Sequence, residues 1–194
     1  MQQADIVYAD GGSVVLLARL AGARSMERAP TTDVGWDVLQ GSRDALGRRP
    51  RVALVGGEGD LAARAGAVLE SAGVAEVAFT ADGFHTDWAP VVEAMRETAP
   101  DVVVIGLGAP REMVWTHDRR DQLPGSLVLT CGGWFGHLTG EERRAPKLLR
   151  RSGLEWLARV AQAPSRLGPR YARGVGSTLA VSVSVVRERR RRKA

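Results

Sequence analysis

One cysteine, Cys131, and three histidines, His85, His117 and His137, are all that 194 residues offer of the side chains that usually form disulfides or bind zinc. A lone cysteine excludes an internal disulfide framework, and histidines so far apart leave no zinc-ligand spacing. Aromatic residues make up 5% of the chain, too few to supply a stacking platform for bases, so no specific nucleic-acid binding is expected. No window approaches the roughly 18 apolar residues of a membrane span; the nearest, STLAVSVSVV at 177–186, is interrupted by serines and threonine. The opening MQQADIVYADGG has no basic region followed by an apolar run, so it does not read as a signal peptide. Asp-x-Asp is absent as well, which removes the usual ligands for a diphosphate-bound divalent cation, and neither a metal nor a cofactor is expected. A cytoplasmic protein fits these absences.

Positive charge is in excess, but it sits in one place. The chain carries 27 Lys and Arg against 22 Asp and Glu, a formal +5, which would suit a polyanion or an anionic membrane surface. Residues 187–194, RERRRRKA, hold six basic side chains and one acid and so account for the whole excess. A second basic stretch, RRAPKLLRRSGLEWLARVAQAPSRLGPRYARG at 143–174, has nine Arg or Lys and only Glu155 as an acid, yet Leu148, Leu149, Leu154, Trp156, Leu157 and Val160 run through it. Pro146, Pro164 and Pro169 act as breakers there, and the spacing predicts an amphipathic helix over about 147–162.

With 44% hydrophobic residues, the chain can bury one proper core but is too short for two domains of ordinary size. RVALVGG (51–57), DVVVIGLG (101–108) and SLVLTCGG (126–133) are apolar runs of strand character, each ending in glycine. VAEVAF (74–79) reads as a further strand, and helical patterns cover 60–73 and 88–100. Strand, glycine turn and helix in alternation predict an α/β fold, a mostly parallel Rossmann-like sheet flanked by helices. In such sheets ligands sit at the carboxyl ends of the strands, which directs attention to 56–59, 82–84, 106–112 and 132–136. A glycine after a strand also serves a plain turn, so each of these has a purely structural reading.

Three stretches carry candidate chemistry. Gly57-x-Gly59-x-x-Ala62 follows a strand and opens a helix, and Asp82 follows the next strand where a ribose-binding acid would lie; this spacing fits an NAD(P)-binding enzyme. In YADGGSVV, Asp10 precedes Gly11 and Gly12. By spacing alone it reads as the cap of a helix over 13–21, although a carboxylate so placed can serve as a general base when its surroundings raise its pKa. In GLGAPREMVW, Gly106 and Gly108 bend the chain, Pro110 suits a first helical turn, and Arg111 can reach an anion held at that helix start.

VVVIGLGAPREMVW, followed by TCGGWFGHLTGEERRAPKLLRRSGLEWLARVAQAPSRLGPRY, resembles the WecG/TagA/CpsF glycosyltransferases in order and spacing. The likeness extends back through ADGFH, RVALVGG and ERAPTTDV to ADIVYADGG, and so reaches to about residue 174. It implies an inverting, metal-independent transferase that moves a sugar of the N-acetylmannosamine type from UDP to an undecaprenyl-diphosphate-type lipid acceptor. Such enzymes work at the inner face of the bacterial cell membrane, in teichoic acid, cell-wall or exopolysaccharide synthesis. The family's catalytic base falls on Asp10, which replaces the capping role that spacing alone suggests. The resemblance implies substrate contacts at Gly11, Gly12, Arg28, Asp33, Gly56, Gly57, Gly83, Phe84, Gly106, Gly108, Ala109, Pro110, Arg111, Glu112, Trp115, Gly132 and Gly133. Arg144, Arg150 and Arg151 would neutralise the departing diphosphate, with Arg166 and Arg170 further out. Against the family pattern, Glu112-Met113 stands in place of Gln-Glu and Phe135-Gly136 in place of Phe-Asp. A family segment carrying Thr-Pro-Asn is expected ahead of Asp10, so that the chain reads as N-terminally short or as having a misassigned start.

The domain expectation is an α/β core over 1–140, a basic amphipathic appendage over 141–174, and an apolar segment with a polybasic tail over 175–194. The expected partners are UDP-sugar, the lipid acceptor and an anionic membrane surface, with a homo-oligomer left open. Two other readings stand beside transfer: a family member that binds nucleotide-sugar or membrane without transferring, and the NAD(P)-binding enzyme.

Overall fold

Runs of valine, isoleucine and leucine build the centre of the molecule. The computed structural model describes residues 4–23, 25–123, 125–142 and 181–184. The chain divides into two compact units, one of Met1–Asp5 with Thr31–Arg143 and one of Ile6–Pro30 with Arg144–Ala194. The basic stretch at 143–174 and the polybasic tail lie outside the described residues.

The first unit is an α/β domain with four parallel strands, β1 (Arg51–Gly56), β2 (Glu76–Ala81), β3 (Val102–Gly106) and β4 (Leu127–Thr130), in the order β2-β1-β3-β4. The two central strands are buried along nearly their whole length. That is why they read as continuous apolar runs and not as alternating ones: helices cover both faces. The outer strands β2 and β4 are only partly buried.

Registry keeps the carboxyl ends level. Val55 pairs with Ala81, Gly56 with Gly106, and Ile105 with Thr130, so the turns that follow all four strands open on one edge. The helices that follow the four strands are α3 (Leu61–Ser71), α4 (Ala89–Glu97), α5 (Arg111–Asp118) and α6 (Trp134–Leu138). On one side Ala53, Val55, Val103 and Ile105 pack with Trp88, Val92, Met95 and Trp115. Gly66 lets α3 come close to the sheet, since a Cβ there would lie 3.0 Å from Val77 and 3.5 Å from Leu54.

At the amino edge, Asp101 accepts both guanidinium nitrogens of Arg48, at 2.7 and 3.0 Å, and the Arg51 N–H at 2.7 Å. The Arg48 guanidinium is the main cause that holds the Asp101 carboxyl below its ordinary range.

The strand and helix expectations between 51 and 108 agree with the observed elements to within a few residues. Helix α2 (Thr31–Leu46) was not among them. Its buried positions are Thr31, Gly35 and Leu39, a four-residue spacing in which only Leu39 is apolar, so the helical period is hidden. Gly35 is required because a Cβ would fall 2.4 Å from the Trp134 ring, whose centroid lies 6.3 Å from that of Trp36.

In the second unit, α1 (Gly12–Ala21) begins after Gly11, and no side chain caps it. The capping role that spacing alone suggests for Asp10 is therefore not realised. The helix ends on Gly22 at φ 111°, a left-handed conformation glycine adopts without strain.

Candidate active site

Because all four strands run the same way, the turns carrying Gly56, Gly57, Gly83, Phe84, Gly106, Gly108, Ala109, Pro110, Arg111, Glu112, Gly132 and Gly133 meet on the carboxyl edge of one sheet. How they meet is specific. A Cβ on Gly56, where φ is 138°, would lie 2.3 Å from the Gly106 carbonyl oxygen. Gly57 donates its N–H to that same oxygen at 3.1 Å, and Gly83 donates to the Gly57 carbonyl at 2.7 Å. These glycines bring backbone against backbone.

Glu112 ties the next two turns together. It is 4% exposed, and its Oε2 accepts the N–H groups of both Gly108 and Gly132 at 3.0 Å. A buried carboxylate is tolerable when donors of this kind satisfy it. The side chain thus occupies the position that a bound anion would take between those two amides. Its charge, added to the larger effect of burial, pushes the Cys131 thiol well above its ordinary pKa, so the lone cysteine is held neutral and unreactive.

Arg111, the first residue of α5, donates through Nη2 to the Gly83 carbonyl, and its guanidinium sits 5.6 Å from the centroid of the Phe84 ring. Phe84 is 68% exposed, and its N–H is held by Asp82 Oδ1 at 2.6 Å. Together they place one cation and one exposed ring beside the β2 and β3 turns.

Trp115 is elsewhere: it is 5% exposed and packs edge-on to Trp88 at 5.1 Å, with Arg119 5.1 Å from its ring. Asp33 lies exposed in the first turn of α2. Asp10, Gly11, Gly12 and Arg28 belong to the second unit, where Arg28 Nε donates to the Asp10 carbonyl at 2.7 Å and Ala29 N–H to the Ala9 carbonyl at 2.9 Å. These two bonds fold 25–29 back on the Asp10 loop and leave its carboxylate exposed. Arg144, Arg150, Arg151, Arg166 and Arg170 lie outside the described residues.

An open cleft of about 440 Å³ lies along the outer edge of β2, between α3 and α4, with Asp82 and His85 at its polar end. Of its lining, Gly59, Ala62 and Asp82 figured in the reading of the sequence through the dinucleotide spacing, and Ala81 and His85 through ADGFH. Thr80, Pro90, Val91 and Ala94 carry no motif and are recognisable only once β2 and α4 are adjacent. Among the described residues no three His, Cys, Asp or Glu side chains cluster to hold a metal ion, and no helix is long and apolar enough to cross a membrane.

Among solved structures, a Silicibacter pomeroyi chain assigned to a branched-chain amino acid ABC transporter matches 58% of this chain at 21% identity and a TM-score of 0.39, and this chain spans 32% of its length. A likeness that weak carries no argument. The family model is decisive instead, because it matches residues 1–194, turns, buried glutamate and second unit together. The chain belongs to the glycosyl transferase WecG/TagA/CpsF family.

Proposed function

We propose that the protein is an inverting glycosyltransferase that moves a sugar of the N-acetylmannosamine type from UDP to a lipid-diphosphate-linked acceptor, in cell-wall or exopolysaccharide synthesis at the inner face of the membrane. The full-length family match carries this reading. In the reaction the acceptor hydroxyl oxygen bonds to the anomeric carbon as the bond from that carbon to the diphosphate oxygen breaks on the opposite face. The acceptor proton passes to a base and the leaving electron pair stays on UDP.

Asp10 is the base in this proposal. Its carboxylate does not cap α1 and is exposed next to two glycines, where an acceptor can approach. The leaving diphosphate needs positive charge as it departs. The Gly108 and Gly132 amides are already taken by Glu112, so that task falls to cationic side chains: Arg111 at the turn, with Arg144, Arg150 and Arg151 from the basic stretch. Glu112 then acts as a positioning residue that fixes the two turns.

The test is transfer from UDP-N-acetylmannosamine to a lipid-diphosphate-linked N-acetylglucosamine, with the product anomer read by NMR. Asp10→Asn is expected to lose about a hundredfold or more in kcat. Equal turnover by the two proteins would remove Asp10 as the base, and a retained anomeric configuration would overturn the mechanism.

A further inference from the structure

The cleft beside β2 has no role in the proposal above. Its walls are small or apolar: Gly59 and Ala63 on the α3 side, Pro90, Val91 and Ala94 on the α4 side. Its volume of about 440 Å³ falls within the roughly 300–1,000 Å³ of small-molecule sites. Asp82 lines it at the carboxyl end of β2, with one oxygen engaged by the Phe84 N–H and the side chain 34% exposed. No other hydrogen bond reaches that carboxylate among the described residues. His85 stands behind it, with its ring 4.9 Å from Trp88 and its Nε2 buried, unpartnered and 3.8 Å from Asp82 Oδ1. The acid is therefore fixed at Oδ1 by a turn amide, with the His85 ring packed nearby, and its side chain lines the cleft.

This is the geometry that a vicinal diol requires. In doubly wound sheets a carboxylate at the end of the strand next to β1 accepts hydrogen bonds from ribose hydroxyls, while the diphosphate lies at the glycine turn after β1. Here Gly57 at φ 73° and Gly59 at φ 58° form that turn, and Ala62, 1% exposed, lets α3 sit tightly against the sheet. We infer that the cleft beside β2 is the nucleoside subsite, with Asp82 accepting from both ribose hydroxyls and the base lying between Ala63 and Ala94. The inference deepens the UDP-sugar reading and rests on it. It also extends the site one strand outward from the locked turns of β1, β3 and β4.

Calorimetric titration of the full chain with UDP tests it. Asp82→Asn keeps an oxygen for the Phe84 N–H, so the turn is preserved and thermal unfolding checks that it is. This variant is expected to bind UDP about tenfold or more weakly. It should change the affinity for inorganic diphosphate by less than about twofold. Ala63→Leu with Ala94→Leu, which fills the cleft from two helix surfaces, should weaken UDP similarly and spare inorganic diphosphate.

UDP binding equally well to wild type and all variants overturns the subsite and leaves the proposed donor standing. An equal loss for inorganic diphosphate in Asp82→Asn also overturns it, since the acid would then act on the phosphates or the fold. Binding of ADP or GDP in place of UDP, with the same dependence on Asp82, supports the subsite and overturns the donor. No binding of any nucleoside diphosphate by wild type overturns both.

Discussion

The carboxyl edge of the sheet has two regions of opposite character. Around β1, β3 and β4 the turns are locked onto one another, through the close approach of Gly56 to Gly106, the bond from Gly57, and the shared acceptor Glu112. Beside β2 the chain leaves an open cleft. Both regions are rich in small residues. In the first, smallness makes room for this chain's own backbone; in the second it makes room for nothing that the chain itself supplies. A glycine after a strand is thus not in itself a mark of ligand contact, and the difference lies in where the neighbouring amides and carbonyls are spent.

Substitutions should separate the two regions. The largest effect is expected from Gly56→Ala, which combines a forbidden φ with a 2.3 Å clash against backbone and should cost about 4 kcal/mol or more, or prevent folding; urea unfolding measures it. Glu112→Ala strands two buried amides and should cost about 3 kcal/mol. Glu112→Gln, whose amide oxygen can still accept from both, should cost about 1 kcal/mol. In either case labelling of Cys131 by a thiol reagent should follow global unfolding, because burial is the first cause of its raised pKa. Gly59→Ala, at φ 58° with no neighbour within 4 Å, should cost only about 1 kcal/mol. Should Gly56→Ala prove no worse than Gly59→Ala, the distinction between locked and open regions fails. Ala94→Leu, in the cleft, should change stability by no more than about 0.5 kcal/mol.

The smallest effect belongs to the opposite edge. Asp101 has a lowered pKa in the folded state, caused first by Arg48. Its contribution is therefore present above the ordinary carboxylate pKa of about 3.9 and is lost as the pH falls through the folded value. Arg48→Met should be less stable than wild type at pH 7, and the gap should narrow below pH ~4. A gap that widened in acid would show that Asp101 is not the partner that matters.

Much of this was legible in the chain. Strands β1 and β3 announce themselves because a strand buried on both faces has to be apolar throughout, and the glycines mark their carboxyl ends. The edge turns could be placed together before any coordinates, since parallel strands share an edge. Helix α2 escaped because its inward face is Thr31, Gly35 and Leu39, where a close ring and not hydrophobicity sets the residue type. Asp10 read as a helix cap on spacing; the structure puts the N-cap of α1 one residue later, on Gly11.

Local patterns along the chain determined the α/β class, the mostly parallel sheet and the edge on which chemistry is sought, because each depends on residues within one element or its turn. Tertiary structure decided which polar groups remain for a ligand. The Gly108 and Gly132 amides lie 24 residues apart in sequence, yet one carboxylate consumes both. The cleft exists only because β2, α3 and α4 leave a gap beside Asp82. Hydrogen-bond capacity and empty volume are properties of elements brought together, and neither is written in any single stretch of the sequence.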